Sequence, residues 1–150
     1  MPNSEAAVIL GELAKQEKVV LLSIRPEFSR LIFSGRKTIE LRKRLPKFLG
    51  RFILVYESSP SKVLAGVLKV RRTRVASTKQ ISRLLSKARV SKVFFDRYYA
   101  GKDVGAYYEI EKAVYFERKI PLAALRKHNL CAPQDYRYLD RQLLNAILAG

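Results

Sequence analysis

Gly35 separates two incompatible periodicities, and this break constrains the fold more than any other feature of the chain. Before it, Phe28, Leu31 and Ile32 recur at helical spacing behind Pro26, a residue suited to a first helical turn. After it, Thr38-Ile39-Glu40-Leu41-Arg42-Lys43-Arg44 alternates with period two. The segment reads as a helix closed by a left-handed glycine, then a strand. Ile39 and Leu41 form its buried face. Thr38, Glu40, Arg42 and Arg44 form a charged row expected at the surface, with successive members ~6.6 Å apart, about one nucleotide step. Lys37 stands where the strand begins, beside the glycine turn.

The remaining chain supplies partners for that strand. Val19 to Ile24 is an apolar β-rich run, stopped by Arg25-Pro26. Arg51 to Glu57 and Lys62 to Val70 are further strands, joined by the polar loop Ser58-Ser59-Pro60-Ser61; Gly66 suggests a bulge or a close approach. The second strand runs out into Arg71-Arg72-Thr73-Arg74. Ser77-Thr78-Lys79-Gln80 is a capping box. The helix after it places Ile81, Leu84, Leu85 and Ala88 on one face and Lys79, Arg83 and Lys87 on the other. A second short helix carries Val93 to Tyr99, closed by Gly101. Ala106 to Ile110 and Ala113 to Glu117 read as two strands, Leu122 to Asn129 as a short helix, Pro133 to Leu139 as a compact loop and Leu139 to Leu148 as a terminal helix. Residues 1–18 form a helical extension, capped by Asn3 or Ser4, with Val8, Ile9, Leu10, Leu13 and Ala14 as its apolar stripe. The expected whole is one α+β domain over residues 19–150: a small mixed β-barrel with flanking helices and a central helical insert.

Charge narrows the function. Thirty Lys and Arg against 13 Asp and Glu give +17 over 150 residues, a field that favours polyanions. From Ser58 to Phe95 there is no acid, while Lys62, Lys69, Arg71, Arg72, Arg74, Lys79, Arg83, Lys87, Arg89 and Lys92 all fall there. Each run can also be no more than a solvated face. One cysteine, Cys131, excludes an internal disulfide framework and reads as a buried or semi-buried thiol in a reducing cytoplasm. One histidine, His128, excludes a histidine-based triad and argues against zinc; no cofactor is expected. The N-terminus lacks the pattern of a signal peptide, and no stretch reaches the ~20 apolar residues of a membrane span. The sequence is silent on oligomeric state.

Lys37 is a candidate general base or a plain phosphate contact, with surrounding positive charge expected to lower its pKa. Glu40 is its candidate acid–base partner, or simply an ion pair with Arg42 or Arg44. Arg42 and Arg137 are candidate phosphate clamps, and Gln134 can read a base edge. Tyr136 and Tyr138 flank Arg137 and suit base stacking, whereas Tyr98 and Tyr99 continue a core stripe. Arg25, Thr38, Arg44, Ser58, Ser59, Lys69 and Arg71 complete the expected nucleic-acid-binding set.

The ordered set Leu22-Ser23-Ile24-Arg25-Pro26, Gly35-Arg36-Lys37-Thr38-Ile39-Glu40-Leu41-Arg42-Lys43-Arg44, Tyr56-Glu57-Ser58-Ser59-Pro60, Gly66 and Pro133-Gln134-Asp135-Tyr136-Arg137-Tyr138-Leu139 resembles the ASCH domain family of the PUA-like superfamily. The resemblance covers nearly everything after Val19. It implies a β-barrel with a cleft for RNA or a modified nucleoside, lined by Lys37, Thr38, Glu40 and Arg42. Some relatives resemble amidohydrolases acting on acetylated cytidine; others look like ribonucleases. The amidohydrolase pattern is incomplete here. Lys37 matches, but Glu40 replaces the threonine, and the middle helices offer only Asp96 as an acid. The leading expectation is therefore RNA or a nucleotide held in a basic cleft. The alternatives are a metal-independent ribonuclease or nucleoside hydrolase using Lys37 and Glu40, and a DNA-binding regulator.

Overall fold

The computed structural model describes residues 4–150, and the capping expected of Asn3 or the Ser4 side chain lies outside the described residues. In chain order the elements are α1 (Ser4–Ala14), β1 (Lys18–Ile24), α2 (Pro26–Phe33), β2 (Ile39–Arg42), β3 (Phe52–Glu57) and β4 (Val63–Ser77). There follow α3 (Thr78–Ile81), a 3-10 turn (Ser82–Leu84), α4 (Leu85–Ala88), α5 (Lys92–Tyr98), β5 (Val104–Pro121), α6 (Leu122–Arg126), β6 (Tyr136–Asp140) and α7 (Arg141–Ala149).

The strands form one six-stranded sheet in the order β2-β5-β4-β3-β1-β6, parallel at β1/β3 and antiparallel elsewhere. Both faces are covered, which is why β1 and β3 read as continuous apolar runs rather than alternating ones. One face, through Leu21, Leu54 and Tyr56, packs on Ile9 and Leu13 of α1, Leu125 of α6 and Leu144 and Ile147 of α7. The other, through Val20, Leu22, Ile53, Val55 and Tyr108, packs on Ile32 of α2. A third cluster joins Ile39 and Leu41 of β2 to Ile81, Ala88, Phe95 and Tyr99 of the helices between β4 and β5.

Several sequence expectations need correction. The sheet does not close into a barrel: β2 and β6 are free edges. β2 has four residues and β6 five, and their ladders are already committed to β5 and β1. The sheet curls instead. Arg42 on β2 reaches Ser23 on β1, four places away in the order, where a flat sheet would hold them ~19 Å apart. β2 stops at Arg42, and its charged row is not a surface, since Glu40 is 6% and Arg42 9% exposed. The arginine run Arg71–Arg74 belongs to β4, and the two strands expected after residue 105 are one, β5. Register shifts at Leu64/Gly66, Lys69/Val70 and Val70/Arg72 break the alternation that a sequence pattern relies on. Part of the compact loop before the last helix is β6, and that helix starts at Arg141. Cys131 is exposed.

Candidate functional site

Three pieces of chain position the site. Gly35 adopts φ +80°, where an L side chain is strained, and this turn swings the chain from α2 into β2. The backbone N–H of Thr38 then donates to the Lys87 carbonyl at 3.0 Å, tying the start of β2 to the end of α4. From the other side, the Tyr99 hydroxyl donates to the Arg42 carbonyl at 2.8 Å and the Tyr98 hydroxyl to the Leu41 carbonyl at 3.4 Å. A four-residue edge strand is thereby held at both ends by side chains and backbone of the helical segment.

On β2 and just before it lies a buried ionic chain. The Lys37 ammonium, 1% exposed, donates to the Ala88 carbonyl and stands 3.4 Å from Glu40 Oε1. Glu40 Oε2 accepts from Arg42 Nη2 at 2.9 Å. Arg42 Nη2 also donates to the Ser23 carbonyl at 3.0 Å, and Nη1 to Asp135 Oδ1 at 2.8 Å. Arg42 therefore bridges β2 to β1 and to the segment leading into β6, across the seam that no backbone ladder closes. Its Nε and the Tyr108 hydroxyl are buried without a hydrogen-bond partner among the described residues.

The electrostatics follow from burial. Burial holds the Lys37 ammonium below its ordinary pKa, with Glu40 pulling the other way and Arg42 adding to the depression. Desolvation, rather than the diffuse positive charge expected from the sequence, is thus the main cause. Burial also works against the Arg42 charge, but Glu40, Tyr98 and Asp135 together hold its guanidinium above the usual value. Burial pushes the Tyr108 phenol up to about 12.

Beside this chain is a cavity of about 120 Å³, lined by Lys37, Glu40, Arg42, Arg25, Phe28 and Phe94 with Tyr98, Val90 and the end of β1. Cations lie over its aromatic rings: Lys37 Nζ is 5.0 Å from the Phe28 centroid, Arg25 5.7 Å from Phe94 and Lys43 5.2 Å from Tyr98. A space of about 120 Å³ is smaller than the ~300–1,000 Å³ of most small-molecule pockets and cannot enclose a length of polymer.

Of the residues expected from the sequence, Arg25, Lys37, Glu40 and Arg42 meet at this cavity. Ser58 and Ser59 line a neighbouring hollow of about 440 Å³ that shares Arg25. Thr38 and Arg71 line a different hollow of about 300 Å³. Arg44 is exposed beyond the end of β2, and Gln134 is exposed next to Asp135. Lys69 pairs with Glu111 at 3.4 Å and Glu12 at 4.0 Å, on the α1 side of the sheet. Arg137 opposes Leu21 in the β1/β6 register, so alternation turns it to the α1/α7 face, away from Arg42. Tyr136 and Tyr138 pack against the inner cluster, and Tyr138 hydroxyl accepts from the Phe48 N–H at 3.0 Å. Phe28, Phe94, Ser23 and Asp135 are site residues that sequence reasoning missed. Ser23 and Asp135 lie within motifs already singled out, and Asp135 carried the further signal of an acid beside Gln134. Among the described residues, no group of three or more His, Cys, Asp and Glu is placed to hold a metal, and no helix is long and apolar enough to cross a membrane.

Comparison with known proteins fits this architecture. The crystal structure of ASCH from Zymomonas mobilis has a TM-score of 0.82 at 24% identity, covering 89% of this chain and 96% of that one. The N-terminal domain of McrB from Staphylothermus marinus is more distant, with a TM-score of 0.53 at 13% identity, covering 87% and 93%. At these identities the likeness is one of fold. An ASCH domain-containing ribonuclease of Zymomonas mobilis subsp. mobilis is 40% identical over 50 residues, 33% of this chain and 34% of that protein. The aligned stretch thus spans about a third of that curated relative. The ASCH domain profile matches residues 22–125, well over half of the chain, and this protein therefore belongs to the ASCH domain family.

Proposed function

We propose that this protein binds RNA by taking one unpaired base into the cavity beside Lys37, Glu40 and Arg42. The observation that carries the reading is the pairing of a ring-sized space with aromatic walls and a buried, hydrogen-bonded ionic edge. Phe28, Phe94 and Tyr98 offer an aromatic wall, and Arg42 and Lys37 offer donors to the base edge. The net charge of +17 supplies the long-range attraction to the backbone. Filter binding of single-stranded RNA tests the reading. Affinity is expected to fall steeply with salt, and Phe94→Ala to lose about 1–3 kcal/mol of binding, the range for one stacked base. Binding that is absent, or indifferent to both salt and Phe94, overturns it. Duplex or single-stranded DNA binding with equal affinity would assign the pocket to a DNA-binding regulator instead.

A second reading, cleavage of the bound RNA, draws support from the depressed pKa of Lys37 and from the ribonuclease name of the partial relative. Neutral Lys37 would take the proton of a ribose 2′-hydroxyl. The 2′-oxygen would attack the adjacent phosphorus, and the 5′-oxygen would leave with the proton returned from Lys37, giving a 2′,3′-cyclic phosphate and a free 5′-hydroxyl. Incubating single-stranded RNA with chelator and either the wild type, Lys37→Ala or Glu40→Ala tests this step. Equal cleavage by all three rejects it.

A further inference from the structure

The irregular β4/β5 ladder builds a second polar hollow next to the first. In a regular strand Arg71 and Arg72 would point to opposite faces. The register shift between Val70 and Arg72 lets both line one hollow of about 300 Å³, with Thr38, Ile39, Lys87, Glu109 and Ile110. Its only acid, Glu109, is already paired with Arg72. Arg71 and Lys87 are exposed, and among the described residues neither carries an ion pair, so the hollow keeps a surplus of positive charge.

This hollow and the ring-sized cavity share one wall. Lys37 lines the cavity and Thr38 the hollow. The same crossing holds both, since Lys37 Nζ donates to the Ala88 carbonyl and Thr38 N–H to the Lys87 carbonyl. Consecutive residues of one tied segment thus line two adjoining sites.

Resting on the RNA reading of the first cavity, we infer that Arg71, Lys87 and Thr38 form a phosphate subsite for the nucleotide next to the one whose base is bound. The chain of a single strand then passes over residues 37–38, base on one side and neighbouring phosphate on the other. Arg72 is committed to Glu109 and sets the wall of the subsite rather than holding the anion.

The test is fluorescence anisotropy with a 5′-labelled single-stranded RNA dodecamer across a salt series, comparing wild type, Arg71→Ala/Lys87→Ala and Arg137→Ala. All three positions are at least partly exposed, and thermal melts confirm that the fold is kept. Loss of one phosphate contact is expected to make the log K against log salt slope shallower by about 0.7 in the double variant. Arg137→Ala, on the other face, is expected to keep the wild-type slope. Equal slopes in wild type and double variant, or equal losses in both variants, overturn the subsite while leaving the base pocket standing. A wild-type chain without RNA affinity overturns both, and an identical loss measured with a DNA dodecamer of equal affinity overturns the assignment to RNA.

Discussion

Replacing Arg42 with methionine tests whether a side chain, rather than a ladder, holds the curled sheet together. The guanidinium is 11% exposed and donates to Glu40, Asp135 and the Ser23 carbonyl. Methionine fills similar space but supplies none of these bonds, leaving the Glu40 carboxylate, 9% exposed, with Lys37 at 3.4 Å as its one remaining ion-pair partner among the described residues. Truncating one member of a buried charge pair costs about 3–5 kcal/mol, mostly from the charge left behind. Because Lys37 still compensates in part, the lower end is expected, about 3 kcal/mol. For a domain of this size, that corresponds to a melting point lower by roughly 6–12 °C. Urea denaturation with unchanged m-value is the assay. Asp135→Asn removes only a half-exposed partner and is expected to cost under about 1 kcal/mol. If the orphaned carboxylate is the main cost, Arg42→Met/Glu40→Gln is expected to lose about 1–3 kcal/mol less than the two single variants added together. Arg42→Met within about 1 kcal/mol of wild type, or strict additivity in the double variant, refutes the reasoning.

Other expectations follow from the same geometry. The Lys37 pKa is lower in the folded chain than the usual 10.5, so near that window the unfolded chain binds a proton that the folded one does not. Stability from this group is complete above 10.5 and is lost as pH falls through the folded value. The raised phenols Tyr99 and Tyr108 contribute the opposite trend, stability lost above pH 10, so the Lys37 contribution is read as wild type minus Lys37→Met at each pH. A difference that is flat with pH sinks it. Gly66→Ala puts a methyl against the Val114 carbonyl and 2.8 Å from the Phe33 ring, which stacks on Tyr115; a loss of about 1–3 kcal/mol is expected in urea melts. Tyr99→Phe removes the hydroxyl that holds the end of β2 and is expected to cost about 1 kcal/mol, with faster amide exchange at Leu41 and Arg42.

Local chemistry was readable from the sequence, and long-range direction was not. The Gly35 turn, the strand after it and the capping box at Ser77–Gln80 depend on neighbours in the chain, and the structure has all three. The period-two pattern of β2 correctly separated Ile39 and Leu41 from Glu40 and Arg42, but periodicity names two faces without saying that both are buried. The curl of the sheet against β1 turns the charged face inward, and the Lys37–Glu40–Arg42 chain makes that burial tolerable. Arg137 shows the same limit: its pairing with Leu21 decides its face, and no local pattern in Tyr136-Arg137-Tyr138 announces that register. Arg71 and Arg72 look in sequence like a run leaving the sheet because a bulge has no fixed sequence signature.

The four-residue length of β2 has a kinetic consequence. Its backbone pairs with only one neighbouring strand, and the opposite wall of the cavity comes from positions 23–28 and 90–98. A molecule whose other five strands are assembled but whose short edge has not docked would keep nearly all of its circular dichroism and lack one wall of the cavity. If the pocket binds RNA as proposed, affinity is expected to return after the circular dichroism signal in refolding and to fall before it when the seam opens.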